Sequence, residues 1–324
     1  MSPLPDPPNS PTLVVGTRGS ELALVQATAT ETLLARAFPH LTIVRNIIRT
    51  TGDRRTDVAL NEVAKVEGIF DKGVFIKELE QALDSAEIQI AVHSLKDLPT
   101  VLGERFKLAA VLERAPVRDA LVSREPGGLE ALPPGARIGT SSVRRARQIA
   151  WLRPDLTVVD LRGNVPTRLR KLAAGETCAA ILLAEAGLVR LGYLSPTAGA
   201  DPETIAGMPG LHAQRLAESA FFPAAGQGAI GLEIRSDDEP SRACAEAIGH
   251  RPTWLRVTAE REFLRLLDAG CHTPVGVFST LVGDELHLQA RVFPEAGGPP
   301  TSGAAYGPSA APLTIARDLF HSLS

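Results

Sequence analysis

Three turns in this sequence place arginine beside helix-capping residues directly after a predicted strand. They lie at residues 16–20, 139–145 and 161–164. In an open α/β sheet the carboxyl ends of the strands border the ligand crevice, and a helix N-terminus presents free N–H groups to anions. Because guanidinium groups bind carboxylates and phosphates through paired hydrogen bonds, these turns predict a cleft for a ligand with several anionic groups.

A lysine and a carboxylate are adjacent after another predicted strand, residues 88–92. In the segment 93–99, Lys96 precedes Asp97, which is the only carboxylate there. In an arginine-rich cleft Asp97 would stay ionised, and it could carry a proton or pair with a positive centre on the ligand. An aspartate that caps a turn is the alternative. We expect His93 to pack or to form a structural hydrogen bond, because no second ligand-type residue has suitable spacing, and we predict no metal site.

Cys271 follows a long amphipathic helical pattern and lies among residues typical of loops. A thiol in a loop is accessible to chemistry, although a loop cysteine without any role is the alternative. Cys178 and Cys244 fall in apolar segments, where we expect them to be buried. This arrangement of three cysteines does not indicate a disulfide framework.

The charge of the chain is unevenly distributed. Its formal net charge is -3, yet residues 137–171 contain nine Lys or Arg residues and two Asp residues. Nucleic-acid binding explains this poorly, because that segment has one aromatic residue, Trp151, and the rest of the chain is acidic. Two alternatives stay open from the residues alone: a solvated helix face for individual arginines, and a two-lobed protein that binds anions without catalysis.

The composition favours a soluble globular protein of two or three domains, since 324 residues with 44% hydrophobic side chains can bury large cores. No apolar run reaches membrane-spanning length. Residues 1–12 are rich in proline and lack the basic and apolar parts of an export signal, so we expect a disordered lead over 1–11. Few cysteines and no lipidation motif favour the cytoplasm, and neither a membrane nor a nucleic acid is an expected partner.

Apolar β-branched segments alternate with helical periodicity, which predicts an α/β protein. The predicted order is strand 13–15, helix 21–37, strand 41–48, helix 75–83 and strand 88–92, then strands 120–122 and 138, helix 143–151, strand 157–160, helix 165–173 and strand 180–183, then helix 253–267 and a hairpin of 275–281 with 285–292. We expect two lobes with mainly parallel sheets, arranged as in periplasmic binding proteins, and a small α+β C-terminal domain.

The expected domain boundaries follow from this order. The first lobe comprises 12–114 and, after the chain returns, 228–246; the second is 115–227; and the third domain is 247–324. An insertion between Tyr193 and Phe222 contains a possible amphipathic helix, 211–220, which we interpret as an added surface helix.

The order of these motifs resembles the porphobilinogen deaminase family over about residues 13–292. The matching segments are residues 17–20, 72–75, 93–97, 139–145, 161–165, 226–229, 256–261 and 270–271. The stretch 61–71 is longer than in familiar bacterial members.

The resemblance implies an enzyme that joins four porphobilinogen molecules head to tail, releasing ammonia, on a dipyrromethane cofactor held by a thioether. Cys271 matches the attachment cysteine and Asp97 the catalytic carboxylate, which would hold the reacting pyrrole N–H groups and stabilise positive charge there. The resemblance also implies a monomer. The residues implied to contact the cofactor or the substrate carboxylates are Arg18, Ser20, Lys72, Ser94, Lys96, Thr140, Ser141, Ser142, Arg144, Arg145, Arg162, Gly163, Arg168 and Arg190.

Overall fold

The computed structural model describes residues 11–49, 76–175, 177–197, 202–268, 273–294 and 297–323. Within these ranges the strands form three sheets. The first two sheets combine a parallel part with antiparallel strands, and the third is antiparallel. The predicted fold class, two α/β lobes and a small C-terminal α+β unit, is confirmed, but the sheets of both lobes are mixed rather than mainly parallel, because each lobe adds antiparallel strands that return from the other part of the chain.

The first sheet has the strand order β2-β1-β3-β11-β4. Its strands are β1 (Thr12–Arg18), β2 (Thr42–Ile48), β3 (Ile90–Ser94), β4 (Phe106–Val111) and β11 (Ile230–Arg235), and the helices beside it are α1 (Glu21–Ala37), α2 (Lys77–Asp84) and α6 (Glu239–Ala247). β1, β2 and β3 are parallel, whereas β11 runs antiparallel to both of its neighbours. Val15, Leu34, Ile90 and Leu232 form part of the core between sheet and helices. Cys244 on α6 is half-buried, so the expectation that it is buried is wrong; α6 buries only one face.

The second sheet has the strand order β7-β6-β8-β5-β10-β9. Its strands are β5 (Asp119–Ser123), β6 (Arg137–Gly139), β7 (Thr157–Val159), β8 (Ala180–Ala184), β9 (Glu203–Thr204) and β10 (His212–Arg215), and its helices are α3 (Val143–Leu152), α4 (Val165–Ala174) and α5 (Glu185–Arg190). β6 pairs in parallel with β7 and β8, and the other pairs are antiparallel. Cys178 is buried in its core, as expected.

The predicted helix 211–220 is wrong. Residues 212–215 form β10, which pairs antiparallel with β5. Leu211, Ala213 and Arg215 are buried while His212 and Gln214 are not, and this period of two fits a strand rather than a helix. The segment therefore completes the second sheet.

The third sheet is a meander of β12 (Val275–Val282), β13 (Glu285–Val292) and β14 (Thr301–Pro308), which packs on α7 (Arg251–Leu266) and α8 (Pro312–Leu323). Gly283, with a φ of 57°, makes the predicted turn between β12 and β13. Phe263, Val277, Leu288 and Ile315 are buried between sheet and helices.

Two crossing segments connect the first two sheets and lie against each other. One leads from β4 to β5, and the other leads from β10 back to β11. The Ala115 N–H donates to the Gly228 carbonyl at 3.1 Å, and Arg114 Nε donates to the Gln227 carbonyl at 2.9 Å. The two Nη atoms of Arg114 also bind the buried Glu260 carboxylate of α7 at 2.6 and 2.9 Å. The third unit is thus fixed to the place where the two lobes join.

Candidate functional site

Lys96 and Asp97 lie where β3 ends beside the second lobe. β3 runs into a single 3₁₀ turn, Leu95–Asp97. Leu95 is buried, and its N–H donates to the Ala229 carbonyl at 3.0 Å. With Leu95 anchored in this way, Lys96 is half-buried and Asp97 is exposed. The Asp97 carboxylate receives no hydrogen bond from any residue in the described ranges, which leaves its oxygens available to a ligand.

Arginines of the second lobe face this pair. The pKa of Lys96 is lowered to about 8, mainly by burial and next by the Arg145 charge, while the Asp97 charge opposes the shift. Burial also lowers the pKa of Arg168 to about 10, again with Arg145 as the next cause and Asp97 acting against it. These mutual effects require short separations. Groups from both lobes therefore form one positively charged cleft in which Asp97 is an exposed carboxylate.

Arg144 and Arg145 share the buried carboxylate of Asp119. Arg144 Nη1 lies 2.7 Å from Asp119 Oδ2 and donates to the Phe222 carbonyl. Arg145 binds Asp119 Oδ1 from Nε and Nη2 at 3.0 and 2.6 Å, and its Nη1 donates to the Leu182 carbonyl. Burial alone would raise the pKa of Asp119, but the two arginines hold that pKa well below its usual range. The triad keeps one net positive charge.

The turn at 139–142 brings α3 to the cleft. The Thr140 N–H donates to the Val159 carbonyl at 2.9 Å, so β6 and β7 pair up to this point. Ser142 caps α3, with its hydroxyl accepting from the Arg145 N–H at 3.5 Å. Ser141 Oγ donates to the Leu161 carbonyl at 2.7 Å and joins this turn to the next one.

The turn at 161–164 positions Arg162 and Arg168. Gly163 has a φ of 119°, and a Cβ there would lie 2.8 Å from the Thr167 side chain, so glycine is required. Arg168 Nε donates to the Gly163 carbonyl at 2.6 Å. Arg162 Nε lies 3.0 Å from Asp160 Oδ2. These contacts therefore hold the guanidinium groups of Arg162 and Arg168 in place at the edge of the second sheet.

The first lobe contributes the turn after β1. Ser20 caps α1 by accepting from the Ala23 N–H at 3.3 Å, and Arg18 is half-buried at the end of β1. Ser94 Oγ exchanges hydrogen bonds with the Gln26 side-chain amide at 2.9 and 3.1 Å. α1 is therefore fixed to the end of β3, next to Lys96 and Asp97.

Arg190 ends α5 beside the crossing segments. Its Nη2 donates to the Gly228 carbonyl at 2.7 Å. Burial lowers its pKa to about 10. Cys271 and Lys72, the two remaining predicted site residues, lie outside the residues that the structure describes.

Sequence reasoning missed three residues that organise this site: Asp119, Asp160 and Gln227. Gln227 Nε2 donates to the Val117 carbonyl at 2.7 Å and to Asp119 Oδ1 at 3.1 Å. For the two aspartates, the available signal in the sequence was a carboxylate at the start or end of an apolar strand. Burying a carboxylate at such a position costs free energy unless a cation lies close to it. The partners of Asp119 lie 25 and 26 residues away, so no local pattern reveals them.

No helix in the described part of the chain is long and apolar enough to cross a membrane. Among solved structures, the periplasmic VFT2 domain of Bordetella pertussis BvgS is 13% identical, with a TM-score of 0.43 over 78% of this chain and 94% of that domain. A likeness at that level carries no argument about function.

Comparisons with sequence families give a direct assignment. The model described as "Porphobilinogen deaminase, dipyromethane cofactor binding domain" matches residues 13–243, and "Porphobilinogen deaminase, C-terminal domain" matches residues 254–297. The porphobilinogen deaminase of Roseiflexus sp. (strain RS-1) is 45% identical over 87% of this chain and 86% of its own length. That of Paracoccus denitrificans (strain Pd 1222) is 41% identical over 100% of this chain and 96% of its own. The chain belongs to the porphobilinogen deaminase family, the hydroxymethylbilane synthases of tetrapyrrole biosynthesis that use a dipyrromethane cofactor.

Proposed function

We propose that Asp97 is the catalytic carboxylate and that basic side chains of both lobes hold the carboxylates of porphobilinogen and of the growing chain. The observation that carries this proposal is the position of Asp97, which is exposed at the end of β3. Asp97 lies close enough to Lys96 and Arg168 for its charge to oppose the lowering of both their pKa values. With family membership shown, the alternatives of a non-catalytic anion-binding protein and a nucleic-acid-binding protein are set aside.

The chemistry of the donor set fits the cofactor. A dipyrromethane and its extensions carry an acetate and a propionate on every ring, and the cleft offers guanidinium groups that bind carboxylates with two hydrogen bonds. Burial, and next the repulsion from the charge of Arg145, lower the pKa values of Lys96 and Arg168. A bound carboxylate would counter both effects, so an anionic ligand is favoured in this cleft.

Asp97 has two tasks in this account. Its carboxylate oxygens accept hydrogen bonds from the pyrrole N–H groups of the reacting rings, and its charge stabilises the positive charge that develops on a pyrrole nitrogen as ammonia leaves. The dipyrromethane, when bound, supplies a pyrrole carbon as the nucleophile.

The remaining basic residues differ in how they act. Arg168, Arg162, Arg18 and Arg190 bind carboxylates directly. Arg144 and Arg145 are buried, and each binds Asp119 and a backbone carbonyl, so we propose that they act on the ligand through the net positive charge of their triad with Asp119. Hydroxyl residues and one glycine shape the turns that present these arginines: Thr140, Ser141, Ser142, Gly163, Ser20 and Ser94. The helix N-termini at these turns also present free backbone N–H groups to the ligand.

Cys271 is the proposed attachment point of the cofactor, and Lys72 is a further proposed contact. The proposed domains are 12–114 with 228–246, 115–227, and 247–324, the last of which carries Cys271. This division agrees with the three sheets, since β11 pairs with β3 and β4 in the first sheet. We also propose that the chain works as a monomer in the cytoplasm.

Steady-state kinetics of Asp97→Asn test the proposal. The carboxamide keeps the shape of the side chain but removes its charge, so we expect kcat to fall on the order of 10²- to 10³-fold, as for the loss of one group that stabilises transition-state charge. Asp237→Asn is the matched control, because Asp237 is an exposed aspartate outside the cleft, paired with Arg235. Turnover of Asp97→Asn at the rate of this control would refute the assignment.

A further inference from the structure

Arg215, the last residue of β10, is an almost fully buried arginine in the segment that the sequence indicates as an insertion. Its side chain is 3% exposed. Nε lies 2.7 Å from Glu185 Oε1 and Nη1 lies 2.8 Å from Glu203 Oε2, while Nη2 donates to the Ser195 carbonyl at 3.0 Å. Glu203 and Ser195 belong to the same segment, but Glu185 belongs to α5. The buried arginine thus joins the inserted segment to α5.

Glu185 is the first residue of α5, and a second arginine fixes it from the other side. Arg118 binds its carboxylate from Nε at 2.8 Å and from Nη2 at 3.0 Å. The Glu185 N–H also donates to the Arg118 carbonyl at 3.0 Å. The start of α5 is therefore held between Arg118, at the end of a crossing segment, and Arg215.

The other end of α5 is Arg190, five residues along. A helix rises about 1.5 Å per residue and is stiff over so short a length, so a displacement at Glu185 would move Arg190 as well. A Cβ built at Gly187 would lie 3.7 Å from the side chains of Leu22 on α1 and Val165 on α4. The helix therefore lies between α1 of the first lobe and α4 of the second.

We propose that Arg215 is a positioning residue for Arg190: by fixing α5 through Glu185, it sets the affinity of the cleft for the substrate's carboxylates. This inference rests on the proposed role of Arg190 as a carboxylate-binding residue. It gives the segment 195–215 a task in substrate binding, where the sequence suggests only an added surface element.

A double-mutant cycle with Arg190 tests the proposal. Arg215→Gln should raise KM for porphobilinogen by about 5- to 20-fold, which is in the range of coupling energies between contacting residues. It should change kcat by less than about twofold, because carboxylate binding stabilises the ground state and the transition state equally. In an Arg190→Gln background, the same change should raise KM by less than about twofold, because the residue that Arg215 positions is gone.

Arg153→Gln is the matched control. Arg153 lies in the same lobe and also binds one carboxylate, Asp155, and the carbonyls of Leu129 and Leu132. Within the described part of the chain its hydrogen bonds do not reach α5, so its loss should lower the thermal stability of the lobe without raising KM. If Arg215→Gln does not fold, Glu203→Gln replaces it, because this change removes one partner of Arg215 and keeps Glu185 paired; a smaller rise in KM is then expected.

Three outcomes are decisive. A wild-type KM in Arg215→Gln, or in its Glu203→Gln substitute, would overturn the proposal. Fully additive effects of Arg215→Gln and Arg190→Gln would also overturn it, since they would show that the two residues act separately. A wild-type KM in Arg190→Gln would instead refute the proposed role of Arg190, and with it this inference. Partial recovery of KM in Arg215→Lys would support it.

Discussion

Asp119 lies between Arg144 and Arg145, with Oδ2 2.7 Å from Arg144 Nη1 and Oδ1 2.6 Å from Arg145 Nη2. All three side chains are buried. One carboxylate thus neutralises one of two adjacent arginines and fixes the direction of the second. It links the interior of the second lobe to the charge that faces Lys96 and Asp97.

Asp119→Asn is expected to weaken both the fold and the site. Removing one member of a buried ion pair typically costs about 3–5 kcal/mol of unfolding free energy, because a buried charge loses its partner. Urea unfolding measures this loss. The control is Asp155→Asn, whose partner Arg153 is partly exposed, and there the loss should be much smaller because water screens an exposed ion pair. Equal losses in both variants would contradict the role given to Asp119.

The same carboxylate predicts a sign for acid stability. The pKa of Asp119 is lower in the folded than in the unfolded protein, so its stabilising contribution is present above an unfolded pKa of about 4 and is lost as pH falls through the folded value. Asp119→Asn should lack this part of the pH dependence. Unfolding free energies of both proteins, measured from neutral pH down to the lowest pH at which they remain folded, give the difference.

Substrate binding should weaken above about pH 8. The Lys96 pKa is lowered to about 8, so its ammonium is charged below that pH and becomes neutral above it. KM for porphobilinogen should therefore rise as pH increases through this value. Lys96→Arg keeps its charge over this range, and its KM should show no such rise. An identical pH profile in both proteins would remove Lys96 from carboxylate binding.

Arg168 and Arg170 provide a comparison on one helix. Arg168 is half-buried near Asp97 and Arg145, whereas Arg170 is exposed and, among the described residues, forms hydrogen bonds to Pro166 and Thr167 of its own helix. Arg168→Gln should raise KM by roughly 10- to 100-fold, as for the loss of a hydrogen bond to a charged group. Arg170→Gln should leave KM unchanged. Steady-state kinetics of the pair measure the difference, and similar values would contradict the assignment.

Arg261 connects α7 to the chain just beyond Asp97. It donates from Nη1 to the Leu98 carbonyl at 3.0 Å and from Nη2 to the Pro99 carbonyl at 2.5 Å. Arg261→Gln should lower kcat by roughly 10- to 100-fold, because small displacements of a catalytic group are costly. The control, Arg265→Gln, lies one turn further along α7 and pairs with Glu262 at the surface. A fall in kcat of equal size in Arg265→Gln would refute a specific role.

Local signals in the sequence were sufficient for much of the fold. The sequence predicts the helix 21–37 at its observed bounds, because Ser20 and Glu21 are residues typical of a helix N-terminus and the apolar residues that follow recur with helical spacing. The β12–β13 hairpin was indicated by Gly283 and Asp284. In contrast, β14 consists largely of small residues with low strand propensity and is a strand because it pairs with β13. The segment 211–220 was misassigned because its pairing with β5 is long-range.

The site was predictable in part. Arginines beside capping residues at strand ends could be recognised locally, and so could Asp97. The roles of Arg144 and Arg215 could not, because both depend on carboxylates far away in the sequence, Asp119 and Glu185. The assignments of Cys271 and Lys72 remain predictions.

The intact mass of Asp97→Asn under denaturing conditions tests the central claim most directly. The variant is first loaded with preformed hydroxymethylbilane, which forms the thioether with loss of water, and peptide mapping around Cys271 locates the attached four-ring chain. Porphobilinogen is then supplied, and the mass is followed over the time in which the wild-type enzyme adds further pyrrole units. The account predicts a four-ring chain on Cys271 and no further units on it in Asp97→Asn over that time. Elongation of the variant at the wild-type rate would contradict it.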